Sequence, residues 1–357
     1  MIQFKNLENI LNSDKKIFLW GAGPNVKSFI NEYCYKKKIF DKPVGIIETK
    51  RKIINGQNFI EDLPFVSLEE VYKVGYDNCI IIITAGLIDL YSDIIKNELF
   101  YYKIIHKKSI EFWEYFKSNK ISFSLILENL SDEKSKKVYA SRLQNVIDGN
   151  FLDTNLLDVG PYFNNDLITS PAKKKINNFL YAGAYNGKHL DRFIDYNKKG
   201  GVYAFEPSLR MYNFLVKKYY LNKNMNIKNN LLWNKNEKIK FNDDEMNNGL
   251  GASVTKNESL GNNYLVEGYK IDSLIDVFKA DLIALDVEGS ELMAIEGGEN
   301  YIEKYLPYLA ICIYHNPSDY HKIIEHMIDN FKKKYNFFVR QHSTISYIET
   351  VLYCLPK

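Results

Sequence analysis

Cysteine, net charge and long apolar runs are all scarce in this sequence of 357 residues. The four cysteines form no CxxC pair, and most of them lie in apolar runs, so we expect reduced thiols and a cytoplasmic protein. The formal net charge is only +3, and the lysine triplets at 36–38, 173–175 and 332–334 are scattered. Because the sequence has no basic cluster, we expect no nucleic-acid partner.

Signals for export and for membrane insertion are also missing. The first residues, MIQFKNLENI, lack the basic-then-apolar order of a signal peptide. No apolar stretch approaches the roughly 20 residues that a spanning helix needs, so we expect no integral membrane segment. The length and the 46% hydrophobic content are typical of two globular domains, with or without a connector.

Strand-like and helix-like segments alternate in two parts of the chain. Apolar runs such as KIFLW and CIIIITA alternate with amphipathic stretches in the N-terminal part, and the same alternation restarts at NFLYA. Alternation of this kind predicts parallel sheets covered by helices, and 336–343 with 350–357 predicts an antiparallel pair at the edge of the second sheet. The predicted division is a small parallel α/β domain at 1–108, a helical connector at 109–175 and a second α/β domain at 176–357.

Capping residues mark several predicted helix starts. Ser67 with Glu70 has the spacing of a capping box before LEEVYKV. Ser131 is the predicted N-cap of a helix over 131–149, and Asp272 is the predicted N-cap of the helical run that follows it.

A glycine loop and an acid form the first candidate site. In AGAYNG, Gly183 and Gly187 allow a tight turn between a strand and a helix, whose free N–H groups suit an anionic group. Glu206 ends the next strand, 23 residues after Gly183, where a carboxylate can accept both ribose hydroxyls. The alternatives are a turn that only packs and an acid that only lies at the surface.

The stretch DLIALDVEGSELMAIEGG places Asp286 and Glu288 at the end of a buried strand. Burying a carboxylate there costs free energy unless a partner or a ligand binds it. Ligands of open parallel sheets bind outside the carboxyl ends of the strands, where His315 also falls. We therefore expect these side chains to line one cleft. The alternative is that Glu288 or Ser290 only caps the following helix.

The motifs FLYAGAYNG, VYAFEPS, VEGYKIDSLI, LIALDVEGSELMAIEGG and LAICIYHNPSDY resemble the FkbM family of S-adenosylmethionine-dependent methyltransferases over about 160–357. The resemblance implies a class I, Rossmann-like methyltransferase fold and methyl transfer to a hydroxyl, often on a sugar or glycan-like product. This chain differs from the family at Tyr181 and Lys188, where the family usually has Asp. The cofactor residues that it implies are Tyr181, Gly183, Ala184, Tyr185 and Gly187 for the methionine end, Glu206 and Pro207 for the ribose, Asn230 and Leu231 for the adenine, and Asp286.

Methyl transfer to a hydroxyl also needs a proton acceptor, since an alcohol is a poor nucleophile until its proton is taken. The candidate bases are His315, Asp286 and Glu288, and imidazole suits the role because it titrates near neutrality. Ser253, in a glycine-rich loop, and Asn316 join Glu288 and His315 as candidate acceptor-binding residues. Asp286 and Glu288 give two oxygen ligands without a clear third, so we predict that no metal is required.

The N-terminal WGAGPNV is a weaker nucleotide motif. Gly21 and Gly23 match the first two glycines of GxGxxG, Val26 replaces the third, and Glu48 stands where a ribose acid would lie. This domain resembles the half-Rossmann domain that precedes some sugar-modifying acyltransferases and longer FkbM-type proteins. It could bind a nucleotide-sugar as the acceptor, or it could be a spacer or the surface of a homo-oligomer.

Two other functions compete with methyl transfer. A ligand-binding module without catalysis would result if Tyr181 and Lys188 disabled the site. An oxidoreductase or epimerase that uses a dinucleotide in the N-terminal domain is the other alternative. The missing third glycine and the lack of a Tyr-xxx-Lys arrangement near that domain argue against it.

Overall fold

A computed structural model describes much of the chain in two compact units. One unit comprises residues 1–121 and 140–152, and the other comprises 122–139 and 153–357. The predicted connector contributes to both units, and the boundaries at 108 and 175 stay predictions. The described residues are 7, 9–10, 12–21, 24–39, 41, 43–47, 59–84, 103–119, 121, 123–148, 154–158, 160–163, 167–168, 175–243, 253–254, 262–343 and 348–357.

The first unit contains a mainly parallel sheet. Its strand order is β3-β4-β2-β1-β5-β6, and only the β3–β4 pair is antiparallel. β5 is buried along its whole length, as the apolar run CIIII predicts. The predicted small parallel α/β domain is therefore confirmed. Its elements are β1 (Lys16–Trp20), α1 (Pro24–Ile30), β2 (Gly45–Ile47), β3 (Phe59–Ile60), β4 (Leu63–Val66), α2 (Leu68–Val74), β5 (Cys79–Ile83), β6 (Lys103–His106) and α3 (Lys107–Asn119).

Further helices follow, α4 (Ser124–Asn129) and α5 (Glu133–Asp148). Asp132, rather than the predicted Ser131, caps α5, because its Oδ1 accepts the N–H of Ser135 at 2.7 Å. Ser131 instead accepts the N–H of Phe337 through its hydroxyl oxygen. The predicted capping box before α2 is confirmed, with reciprocal bonds between Ser67 and Glu70.

The second unit contains two sheets. The larger has the order β16-β17-β15-β14-β7-β8-β9, and the smaller has the order β10-β13-β11-β12. The strands are β7 (Asn178–Ala182), β8 (Gly201–Phe205), β9 (Met225–Lys228), β10 (Leu231–Leu232), β11 (Lys238–Asp243), β12 (Ser253–Val254), β13 (Asn262–Tyr269), β14 (Leu282–Leu285), β15 (Tyr308–Cys312), β16 (Tyr335–Gln341) and β17 (Thr350–Pro356). The helices are α6 (Lys188–Tyr196), α7 (Leu209–Lys218), α8 (Glu291–Glu296), α9 (Glu299–Tyr305) and α10 (Asp319–Phe331).

Strand order in the larger sheet creates a crevice. From β7 the chain builds β8 and β9 on one side and later places β14 and β15 on the other, all parallel. Ligands of open α/β sheets bind at such a switch point, here between the ends of β7 and β14. β17 runs antiparallel to β15 and β16, which confirms the predicted edge pair. This is the predicted Rossmann-like methyltransferase sheet.

The smaller sheet was not predicted from the sequence. Its own apolar cluster comprises Leu231, Ile239, Phe241 and Val266. Among the described residues, no helix is long and apolar enough to cross a membrane.

Candidate active site

The glycine loop lies against the end of β14. Gly183 has φ +87°, and a Cβ added to it would meet the carbonyl oxygen of Asp286 at 1.8 Å. The N–H groups of Gly183 and Ala184 donate to Phe205 O at 3.1 and 3.2 Å. Only glycine allows this approach, so the sequence motif fixes the distance between the loop and the strand that carries Asp286.

The two positions at which the chain differs from the FkbM pattern have different environments. Tyr181 is 2% exposed, and its ring packs against those of Phe179, Tyr162 and His189 in the core. Lys188 begins α6 and is exposed. The ring of Tyr181 therefore belongs to the apolar core next to the glycine loop, and its predicted contact with the cofactor stays a prediction.

Glu206 is buried at the end of β8. Its Oε2 accepts the N–H of Tyr185 at 2.6 Å, and its Oε1 accepts the N–H of Ser208 at 2.9 Å. Burial raises the pKa of Glu206 to about 7, although both backbone hydrogen bonds act in the opposite direction. A carboxylate oxygen has two acceptor positions, so each oxygen retains one for a ligand hydroxyl.

Asn229, which sequence reasoning missed, links the ends of β8 and β9. Its Nδ2 donates to the carbonyl oxygens of Glu206 and Pro207 at 2.9 and 3.0 Å. The predicted adenine residues follow it. Asn230 donates to Glu267 O at 3.1 Å, and Leu231 is buried at the start of β10.

Asp286 lies at the centre of a polar cluster. Its Oδ2 accepts the hydroxyl of Tyr162 at 3.3 Å, and its Oδ1 accepts the hydroxyl of Tyr314 at 3.2 Å. The Nε2 atom of His315 lies 3.3 Å from the same Oδ1. Burial alone would raise the pKa of Asp286, but the hydrogen bond and charge of His315 outweigh it, and the pKa is lowered. Asp286 is therefore an anion at neutral pH.

His315 contacts three carboxylates. Its Nε2 lies 3.7 Å from Glu288 as well as near Asp286, and its Nδ1 lies 2.8 Å from Glu291. Burial would lower the pKa of His315, but these carboxylates raise it well above the ordinary value. The prediction that this imidazole titrates near neutrality is not supported for the unliganded protein, because the surrounding carboxylates favour its protonated form.

Glu291 was not among the predicted site residues, although it is the third acid of DVEGSE. It is 0% exposed, and its carboxylate accepts the N–H groups of Val287 at 2.9 Å and Gly289 at 3.1 Å. Glu291 therefore ties the start of α8 to the loop after β14. Asp286, Glu291 and His315 each offer one atom of a metal-ligand type within 4.8 Å of one another, but each of these side chains already has the partners described above.

The other predicted acceptor residues lie around this cluster. Glu288 is exposed and has φ +51°. Asn316 donates to Gly289 O at 3.4 Å and to Asp319 at 3.0 Å, which fixes the loop on its other side. Ser253 lies on β12 opposite Asn242 in the smaller sheet. Asp272 accepts the N–H of Tyr301 at 2.9 Å and so caps α9. It was predicted to cap the helical run directly after it in the sequence.

The second nucleotide motif is only partly described. Gly21 has φ +117° at the end of β1, as a tight turn requires. Gly23 and Glu48 lie outside the described residues. The N-terminal nucleotide site therefore stays a prediction.

The strand order and the glycine loop at the switch point define a class I, Rossmann-like methyltransferase domain. Residues 182–339 match the family model for the methyltransferase FkbM domain. This part of the chain is therefore a methyltransferase domain similar to those of the FkbM family, which implies S-adenosyl-L-methionine as the cofactor.

One solved structure, the first of the following three, supports the fold. Methyltransferase FkbM from Methylobacillus flagellatus KT has 15% identity and a TM-score of 0.66, over 98% of this chain and 93% of that chain. An rRNA methylase from Streptococcus thermophilus has 13% identity and a TM-score of 0.33, over 52% and 88%. Fibrillarin from Aeropyrum pernix, with natively bound S-adenosyl-L-methionine, has 11% identity and a TM-score of 0.33, over 51% and 67%. No curated protein matches the chain.

Proposed function

We propose that the C-terminal domain transfers a methyl group from S-adenosyl-L-methionine to a hydroxyl of a sugar or sugar-like metabolite, in the biosynthesis of a surface glycan. One observation carries the proposal. His315 Nε2 lies 3.3 Å from Asp286, and the backbone of Asp286 touches the glycine loop at Gly183. A proton acceptor is therefore next to the predicted cofactor loop.

The residues of the cleft fit the cofactor. Glu206 keeps free acceptor positions for the ribose hydroxyls, and Asn230 with Leu231 follows the end of β9, beside the predicted adenine position. The carboxylates of Asp286, Glu288 and Glu291 all lie within 4 Å of His315, and this concentration of acids favours a cationic ligand. The bound cofactor supplies an electrophilic methyl group on a positively charged sulfur, and correct positioning contributes much of the rate.

His315 is the proposed base. In the neutral form of His315, Nε2 takes the proton of the acceptor hydroxyl during attack, and Asp286 and Glu288 stabilise the imidazolium that forms. Glu288 and Asn316 are both exposed beside this nitrogen and are available to bind other hydroxyls of the acceptor. Ser253 is proposed to contribute from the smaller sheet.

The nature of the acceptor is supported by the FkbM family and by the resemblance of the N-terminal domain to half-Rossmann domains of sugar-modifying enzymes. We propose that this domain binds a nucleotide-sugar through Gly21, Gly23 and Glu48. All four cysteines are buried and none forms a disulfide, which suits a cytoplasmic location.

Calorimetric titration with S-adenosylmethionine and S-adenosylhomocysteine tests the cofactor site. We expect micromolar binding to the wild type and none to Glu206→Ala, because the ribose would lose its acceptor. Glu237→Ala, at an exposed glutamate of the same unit, should bind as the wild type does. Thermal unfolding of both variants shows whether they fold. Equal cofactor affinity of Glu206→Ala and wild type would contradict the proposed role of Glu206 in the cofactor site.

Turnover is tested next, with nucleotide-sugars and glycans as acceptors. Methylation of any of these hydroxyls supports the proposal. Cofactor binding without turnover on any of them would instead favour a ligand-binding module.

A further inference from the structure

We propose that Glu291 is the positioning residue for His315, because it fixes which imidazole nitrogen faces the cleft. This inference rests on the proposed function. Glu291 has no exposed surface, and its Oε1 lies 2.8 Å from His315 Nδ1. The opposite nitrogen, Nε2, then faces Asp286 and Glu288.

The backbone holds Glu291 independently of His315. Its two carboxylate oxygens accept the N–H groups of Val287 at 2.9 Å and Gly289 at 3.1 Å. The residues that carry the turn, Glu288 and Gly289, have φ angles of +51° and +98°. A loop in this conformation can aim successive N–H groups at one anion. The carboxylate therefore has a fixed place against which the imidazole can be oriented.

This contact decides the tautomer of His315. A carboxylate can only accept, so Nδ1 must carry a hydrogen that it donates to Glu291. When the imidazole is neutral, its lone pair is therefore on Nε2. Asp286, whose pKa is lowered, has no proton to donate to Nε2, and a hydroxyl of the acceptor can supply one. Glu291 thus keeps the basic nitrogen on the side of the methyl acceptor.

Charged groups from several elements face His315. They raise its pKa, which makes Nε2 a stronger base once it is free of its proton. The interacting acids are Asp286 and Glu288 after β14, Glu291 on α8, Asp319 on α10 and Glu349 before β17. Glu291 differs from the others because it contacts Nδ1, so its removal affects both the charge and the tautomer.

The test compares wild type with Glu291→Gln by two measurements. The first is an NMR titration of His315 in protein with labelled histidine, in which His315→Gln assigns its signal among the six histidines. The second is the pH profile of kcat/KM for methyl transfer. Loss of a carboxylate at this distance should lower the pKa of His315 by about one unit or more. It should also lower kcat/KM about 10- to 100-fold, as part of a general-base contribution.

Matched controls separate positioning from stability. Glu299→Gln removes a carboxylate oxygen 3.0 Å from another histidine, His326, outside the site, and it should leave the pH profile unchanged. Cofactor affinity should stay the same in Glu291→Gln. Should that variant fail to fold, Glu291→Asp keeps the charge but withdraws it from Nδ1, and it should lower kcat/KM in the same way.

Several outcomes would overturn the proposal. One is an unchanged pKa of His315 in Glu291→Gln, and another is a lower kcat/KM with an unshifted pH profile. Activity that is lost in EDTA and restored by Mn²⁺ would make His315 a metal ligand instead of a base. A wild type that binds the cofactor without turnover would refute the catalytic role together with the proposed function, while the NMR titration would still report the contact with Glu291.

Discussion

Glu206 should make the unliganded protein less stable as the pH rises. Burial raises its pKa from 4.5 to about 7, so the folded state holds a proton that the unfolded state has already released between these values. Stability is then lost as the pH rises through this window. A shift of this size corresponds to about 3 kcal/mol above pH 7. Glu206→Gln cannot ionise, so it should escape this loss.

Thermal unfolding of wild type and Glu206→Gln at pH 5 and pH 8 measures the effect. The Tm of the wild type relative to the variant should fall by about 6–12 °C between these pH values. Glu133→Gln is the control, because Lys136 keeps the pKa of this exposed carboxylate below its usual value. That substitution should not change the slope between pH 5 and pH 8. A Tm difference between wild type and Glu206→Gln that is independent of pH would refute the reasoning.

Two further predictions concern the loop and the acidic cluster. Gly183→Ala should lower stability by about 2–4 kcal/mol and abolish cofactor binding in calorimetry, because its Cβ would lie 1.8 Å from Asp286 O. Gly75→Ala, also at positive φ but 3.9 Å from its nearest neighbour, should cost less and leave binding unchanged. Methyl transfer should survive EDTA, because His315 already lies within contact distance of Asp286 and Glu291. Loss of activity that Mg²⁺ restores would contradict this.

The sequence predicted the strands and the ends at which ligands bind, because both follow from local patterns. Uninterrupted apolar runs such as CIIII identified buried strands, and AGAYNG identified a loop that needs glycine. Ligands of open parallel sheets bind at the carboxyl ends of the strands, which predicted that Asp286, Glu288 and His315 lie together. In the structure both acids lie within contact distance of His315. The smaller sheet escaped prediction because its strands pair across long sequence separations and two of them have only two residues.

The residues that surround the predicted site residues were harder to predict from the sequence than the site residues themselves. Tyr162 lies far from Asp286 in the sequence and has no motif around it, yet its hydroxyl reaches that carboxylate. The buried Arg340 and the partly exposed Asp132 form an ion pair at 2.7 Å across a still longer separation. Glu291 was different, since its place in DVEGSE was visible. Its role depends on which backbone N–H groups and which imidazole nitrogen it contacts, and a spacing alone does not contain that information.

Two acids, at the ends of the strands on either side of β7, have pKa values that are shifted in opposite directions. Burial raises the pKa of Glu206 to about 7, whereas His315 keeps the pKa of Asp286 low despite its burial. Environments that separate the pKa values of two carboxyl groups commonly assign them different roles. For Glu206 burial outweighs the charge of Arg210, and the resulting carboxyl group suits neutral hydroxyls such as those of a ribose. Asp286 remains charged beside His315, where a cationic cofactor and a proton in transit need a fixed anion. The costly placement of acids at these strand ends is therefore explained separately for each residue, by the ligand group that it can bind.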